Sequence, residues 1–200
     1  MSDDDTFRLI IIAWFVIVIP IGLYHRLKSW ATGDAIDRRE EGLFIFLTLR
    51  PIAVIGMLGL VAFLIHPHWM AWSSVALPIW ARWLGAGLSV LAAMLLIWTF
   101  RALGTNLTDT VVTKKVHTLV TSGPYRWVRH PLYTSVILAV LACSLAAANW
   151  FFLVAGGLVF MLLVIRTNRE EQNLLARFGD DYAAYIKRTG QFMPRLTRAD

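Results

Sequence analysis

Two polar stretches hold most of the residues in this chain that could do chemistry. The first reads His117-Thr118-Leu119-Val120-Thr121-Ser122-Gly123-Pro124-Tyr125-Arg126-Trp127-Val128-Arg129-His130-Pro131-Leu132-Tyr133, and the second Arg166-Thr167-Asn168-Arg169-Glu170-Glu171. Arg166 and Glu170 stand four residues apart, so on a helix they share one face and point to one cavity. A carboxylate there can meet ammonium or hydroxyl groups, a guanidinium can hold a carboxylate, and backbone amides near Gly123 offer further donors. His117 and His130 are candidate bases for any acceptor that must first lose a proton. Plainer readings stand beside these. Gly123-Pro124 makes a turn, His130-Pro131 starts a helix, and Arg126 and Arg129 anchor the chain at an interface. Arg166 then snorkels, and Glu170 lies on a solvated helix face. An ionised residue near the end of an apolar run is costly without a partner, which weighs toward function for Arg166 and Glu170.

The elements that must position these residues are apolar. Of the 200 residues 58% are hydrophobic and 16% charged, and the mean hydropathy is +0.60. Soluble domains average about 45–50% and about 25%. The surplus lies in long uncharged runs, the pattern of lipid-facing helices. The runs predict an all-α integral membrane bundle forming a single domain over residues 1–200, with spans at about 9–23, 43–65, 77–100, 132–148 and 150–165. The last two come from one uncharged run, Leu132 to Ile165, too long for a single crossing of about 20 residues. Ala148-Asn149-Trp150 at its midpoint is the expected turn of a helical hairpin. A mixed-charge loop is expected from His25 to Glu41. After the hairpin, Leu174, Leu175, Phe178, Tyr182, Tyr185 and Ile186 recur at helical spacing among charges. They predict amphipathic tail helices lying on the membrane or folded back over the bundle, with Gly179 ending one short helix and Asp180 capping the next.

Charge then orients the bundle. One set of loops collects Arg26, Lys28, Arg38, Arg39, Arg101, Lys114, Lys115, Arg126, Arg129 and the basic residues from Arg166 onward. The other side holds only Arg8, Arg82 and the acidic N-terminus. The positive-inside rule predicts an N-terminus outside and a C-terminus in the cytoplasm; the expected location of this multi-pass protein is a prokaryotic inner membrane. The net charge of +6 therefore serves topology and membrane lipids, and nucleic acid is not an expected partner. The N-terminal apolar run lacks a positive n-region and a small-residue cleavage site, so it is expected to stay in the mature protein. Cys143 stands alone in an apolar run as a small core residue, and the nine tryptophans fall mainly at span ends as an interfacial belt. Arg50, beside Pro51 inside the second run, is expected to pair with Glu40 or Glu41 or to snorkel.

Nucleotide cofactors in soluble enzymes rest on a glycine-rich loop between a strand and a helix, and no such unit exists here. Any nucleotide-like cofactor must be held by the stretch before the hairpin and the segment after it, about residues 115–195. Across that region the pattern His-Thr-Leu-Val-Thr-Ser-Gly-x-Tyr, Arg-His-Pro-x-Tyr, a membrane hairpin, Arg166, the Glu pair and Phe178-Gly179-x-x-Tyr182 resembles the isoprenylcysteine carboxyl methyltransferases. It is similar, more loosely, to phospholipid N-methyltransferases and to the C-terminal part of sterol reductases. The resemblance implies S-adenosylmethionine as cofactor. It implies a cofactor lining of His117, Thr118, Leu119, Val120, Tyr125, His130, Pro131, Leu132 and Tyr133, with Glu170 as its acidic ligand. It also implies Arg166 as the arginine that handles the substrate, a lipophilic small molecule or lipid with a carboxylate acceptor. The alternatives it leaves are amine or phospholipid N-methylation, an NADPH-dependent reductase, and a non-enzymatic membrane component. The Asn168-Arg169 pair before Glu170 departs from the family's more acidic run. Oligomeric state is not legible.

Overall fold

The computed structural model of the chain describes residues 3–30, 43–104 and 118–195. Six α-helices follow in order: α1 (Asp3–Trp30), α2 (Leu43–Ile65), α3 (Ile79–Leu103), α4 (Pro131–Ala146), α5 (Trp150–Phe178) and α6 (Asp180–Arg188). Two short 3₁₀ segments, Pro67–Ser73 and Gly123–Arg126, link α2 to α3 and precede α4. Among the described residues the extended pairings are isolated bridges, Ser74 with Asn149 and Val128 with Gly190. The protein is thus an all-α, multi-pass membrane bundle. Helices α1, α2, α3 and α5 are long and apolar enough to cross a bilayer. Helix α4, at 16 residues, is about 24 Å long and falls short of a hydrocarbon core of about 30 Å.

Two boundaries differ from expectation for one reason. The expected loop from His25 is helical through Trp30, and α5 runs unbroken past Ile165 to Phe178. Charged residues end a membrane crossing, but Arg, Lys, Glu, Gln and Leu are good helix formers, so the helix continues beyond the apolar layer. Gly179, at φ +52°, ends α5 itself rather than a separate short helix. Asp180 does not cap α6. It lies in that helix's first turn with Asp181, where Gly179 is the N-cap residue and no side chain caps; there both carboxylates complement the dipole. Glu40 and Glu41, the expected partners of Arg50, lie outside the described residues, as do Arg38, Arg39, Lys114 and Lys115.

The end of the bundle where α2 and α4 finish is closed by two arginines. Arg8 donates through Nε to the Leu64 carbonyl at 2.7 Å and through Nη2 to that of Ile65 at 2.8 Å. Arg82 donates to the Ala146 carbonyl at 3.1 Å and pairs with Asp4 at 2.7 Å, its guanidinium 4.3 Å from the Phe7 ring centroid. Each cation thereby satisfies last-turn carbonyls that no intrahelical donor reaches. Asn149 fixes the hairpin turn nearby, accepting from the Phe151 amide at 3.0 Å and donating to the Met70 carbonyl at 3.1 Å. Trp69, Trp72, Trp80, Trp83 and Trp150 are exposed around this end, as an interfacial belt requires.

Helix α3 packs most extensively on α4, through small residues. A Cβ on Gly85 would stand 2.6 Å from the Ala146 amide nitrogen and 2.8 Å from the Ala142 carbonyl oxygen, so the two backbones touch where only glycine fits. Buried hydroxyls return to their own helices: Thr99 donates to Leu95, Ser135 to Pro131 and Ser144 to Val140, all at 2.7–2.8 Å. That removes the cost of a polar group facing lipid or core. Substituting Gly85→Leu is expected to destabilise the detergent-solubilised protein by about 1–3 kcal/mol. Gly87→Ala, where an added Cβ meets nothing within 4 Å, is expected to be neutral or to stabilise by up to about 1 kcal/mol. Thermal unfolding of the two variants measures the difference.

Candidate functional site

The opposite end of the bundle carries the polar stretches, and the hairpin brings them together. His130 is the N-cap residue of α4 and Pro131 opens the helix, a position where the missing amide hydrogen costs nothing. That start aims Tyr133 inward, and it is buried. Its hydroxyl donates to Glu170 Oε2 at 3.0 Å. Arg166, one turn earlier on α5, is also buried, and its charge acts on the Tyr133 hydroxyl together with that of Glu170. Tyr125, from the 3₁₀ turn, stands near enough to feel the Glu170 carboxylate. Burial, helped by that negative charge, holds the Tyr125 phenol well above its ordinary range. Tyr125, Tyr133, Arg166 and Glu170 therefore form one group.

Gly123 makes this approach feasible. Its φ is +61°, and a Cβ there would lie 2.9 Å from Ala102 Cβ and 3.3 Å from Trp98 Nε1, so the turn sits directly on α3. The other expected lining residues are less convergent. Thr118 is exposed, Leu119 and Val120 are half-buried in irregular chain, and Leu132 is half-buried on α4. Among the described residues no hydrogen bond joins Thr118, Leu119 or Val120 to Tyr133 or Glu170. His117 lies outside the described residues.

A second polar cluster adjoins the first. Glu171 Oε1 accepts from Arg129 Nε at 2.9 Å and lies 3.0 Å from His130 Nε2. Gln191 Nε2 reaches the same oxygen at 3.4 Å. Arg129 in turn donates to the Thr189 carbonyl at 2.7 Å. The backbone of the tail pairs alongside, with Gly190 N donating to Trp127 O at 3.0 Å, Arg129 N to Gly190 O at 2.9 Å and His130 N to Gln191 O at 3.0 Å. Thr134 Oγ1 donates to the Phe192 carbonyl at 2.8 Å, and Tyr185 to the Tyr125 carbonyl at 2.6 Å. Burial pushes the Tyr185 phenol up to about 12, so it stays a donor across the neutral range.

The tail is thus folded back over the bundle and roofs the hairpin. Arg129 is no interfacial anchor; it is an internal strut. Arg126 remains exposed and stacks on Trp127 at 4.6 Å. Arg129, Glu171, Thr189 and Gln191 were not among the expected site residues. The adjacency of Arg129 to His130 and of Glu171 to Glu170 was the available signal.

Beneath the polar group, inside the apolar layer, lies a cavity of about 450 Å³ among α1 to α5. Its walls include Trp14, Met57, Ser89, Val136, Cys143 and Val159. Val159 stands seven residues before Arg166, two turns down the same face of α5, or about 10 Å.

Taken together, the fold and site define a multi-pass helical membrane protein with a roofed polar group at one end of a helical hairpin. Residues 83–176 match the model of the Isoprenylcysteine carboxyl methyltransferase (ICMT) family. The match starts on α3, earlier than the motif itself, and stops before α6. Among curated relatives, the cobalt-zinc-cadmium resistance protein CzcN of Cupriavidus metallidurans is 37% identical over 84 residues, 42% of this chain and 39% of that protein. Protein-S-isoprenylcysteine O-methyltransferase of Homo sapiens is 35% identical over 94 residues, 46% of this chain and 33% of the relative. Methanethiol S-methyltransferase of Mycobacterium tuberculosis is 31% identical over 70 residues, 35% and 28%. The chain spans well under half the length of each of these relatives.

The strut makes its own prediction. Removing one partner of a charge-assisted hydrogen bond costs about 1.5–3 kcal/mol. Glu171→Ala is therefore expected to raise hydrogen exchange of the Gly190, Arg129 and His130 amides, which carry the tail's backbone bonds, and proteolysis after Lys187 by about tenfold or more. Exchange in α2 should stay unchanged; equal protection of the tail in variant and parent would refute the strut.

Proposed function

We propose that the chain is an S-adenosylmethionine-dependent methyltransferase acting at a membrane surface on a lipophilic acceptor whose reacting group is a carboxylate. The observation that carries the reading is the Tyr133–Glu170 hydrogen bond beside buried Arg166, within the family segment. A carboxylate, a phenol and a guanidinium suit a zwitterionic cofactor bearing an ammonium, hydroxyls and a carboxylate. Glu170 and Tyr133 would hold its cationic or hydroxyl groups. Tyr125, His130, Pro131, Leu132 and the irregular Thr118–Val120 segment would line it, with His117 from beyond the described residues. When bound, it supplies an electrophilic methyl group on a sulfonium.

The chain's own task is alignment and dryness. A carboxylate acceptor is ionised at pH 7 and needs no base. Arg166 would hold it, the apolar cavity below would take its hydrocarbon portion, and the tail roof would exclude water. An amine acceptor would need a base: His130 Nε2 is already committed to Glu171, and His117, the other candidate, lies outside the described residues. This weighs for O-methylation. Of the three relatives named above, one is an O-methyltransferase and one an S-methyltransferase, which agrees with an acceptor that is not an amine; the third is named for metal resistance.

The positive-inside rule supports a cytoplasmic tail end, hence an N-terminus outside. At the other end the described basic residues are Arg8 and Arg82, and both are spent on helix carbonyls. An enzyme of this reading would reside in a prokaryotic inner membrane.

Calorimetric titration of the purified protein is expected to give saturable binding of S-adenosylmethionine and S-adenosylhomocysteine and none of NADPH. Glu170→Ala and Tyr133→Phe should each weaken that binding about tenfold or more, the worth of a charge-assisted hydrogen bond. NADPH binding alone would move the protein to the reductases. Absence of all binding would make it a non-enzymatic component.

A further inference from the structure

A second pocket, separate from the hairpin, opens between the last turns of α1 and α3. It has a volume of about 650 Å³, and its lining includes Tyr24, His25, Lys28 and Arg101 with Ile21 and Ile97. The proposed transferase site uses none of these residues. Lys28 and Arg101 lie in the final turns of their helices, and among the described residues neither has a carboxylate partner. His25 is stacked on Phe100, with ring centroids 5.6 Å apart and planes 20° from parallel. Its Nδ1 is buried with no hydrogen-bond partner among the described residues.

The pocket is layered. Ile21 is four residues before His25, and Ile97 four before Arg101, so each aliphatic side chain lies one turn, about 5.4 Å, nearer the bilayer centre than the polar group above it. Cations above hydrocarbon is the inverse of an anionic amphiphile. The helix ends set the charge. Two C-terminal dipoles contribute about −0.5 each, leaving about one net positive charge between Lys28 and Arg101. That matches a phosphodiester, which carries one negative charge, and an inter-helix basic pocket at headgroup depth is where such lipids are recognised.

We infer that the α1–α3 pocket is a binding site for the phosphodiester headgroup of an anionic phospholipid, with Lys28 and Arg101 clamping the phosphate, His25 Nδ1 donating to it, and Ile21 and Ile97 against the first methylenes of its chains. Inorganic phosphate shares the head chemistry but gains nothing from the aliphatic layer. The site is independent of methyl transfer, so its test does not depend on that reading.

The experiment is native mass spectrometry of the full chain in neutral detergent, titrated with phosphatidylglycerol, phosphatidylcholine or inorganic phosphate. One phosphatidylglycerol per chain is expected to be retained, at least tenfold tighter than phosphatidylcholine, and excess inorganic phosphate should not displace it. The double variant K28Q/R101Q should lose that preference, whereas K28R/R101K, which keeps both charges, should retain it. K187Q/R188Q removes two exposed charges from α6 and should leave binding unchanged. Displacement by inorganic phosphate would make this a free-anion site and overturn the lipid assignment. Unaltered retention in K28Q/R101Q, or equal loss in K187Q/R188Q, would show that retention reflects diffuse surface charge.

Discussion

One carboxylate oxygen organises the polar end of this protein. Glu171 Oε1 stands on α5 and is reached by Arg129 and His130 from the segment before α4 and by Gln191 from the tail. Three pieces of chain far apart in sequence are thus fixed to one point. The arrangement is stable because each cationic or polar donor has a further partner: Arg129 reaches Thr189, and the backbone on either side pairs with the tail. Inside such a network the low local dielectric strengthens every bond that is made and penalises any left unmade. Glu170, one residue earlier and about 100° round the helix, is thereby left to face Tyr133.

The two ends of the bundle solve the same problem by different means. At one end, helices α2 and α4 finish with carbonyls in need of donors, and Arg8 and Arg82 reach across from α1 and α3 to supply them. At the other, a folded tail supplies donors and acceptors to the loop that opens α4. Between them there is little polar chemistry at all. Hydroxyls are satisfied within their own helices, and contact depends on how closely backbones approach, as at Gly85. A rigid hairpin held at both ends is what allows Tyr133, Arg166 and Glu170 to keep fixed relative positions.

The apolar runs made the five helices and the hairpin turn legible, since hydrocarbon demands a helix wherever the chain crosses it. Helix ends were less legible. At Trp30 and Phe178 the helices outlast their apolar runs, because leaving the bilayer and leaving the helix are governed by different properties of the residue. The group of Tyr125, Tyr133, Arg166 and Glu170 was visible as residue types flanking a hairpin, and the i, i+4 spacing of the last two carried real geometry. The strut was not visible. Arg129 and Glu171 are 42 residues apart, and a basic residue beside an apolar run reads first as an anchor. The docking of the tail was hidden for a further reason: Val128 and Gly190 pair through backbone atoms, which leave no mark in side-chain pattern.

The shortness of α4 bears on how the acceptor of the proposed transferase would arrive. Its neighbours α1 and α5 have 28 and 29 residues, each about 42–44 Å long, so they protrude where α4 has already ended. With its far end at the belt of tryptophans, a helix of about 24 Å would leave the Pro131 end several ångströms short of the opposite side of a hydrocarbon core of about 30 Å, a mismatch met by thinning of the bilayer or by a dimple over the polar group. A molecule dissolved in that leaflet could then meet Tyr133 and Arg166 by lateral diffusion alone. Its hydrophobic body would never enter water, and the encounter would be governed by its mole fraction in the membrane rather than by its aqueous solubility.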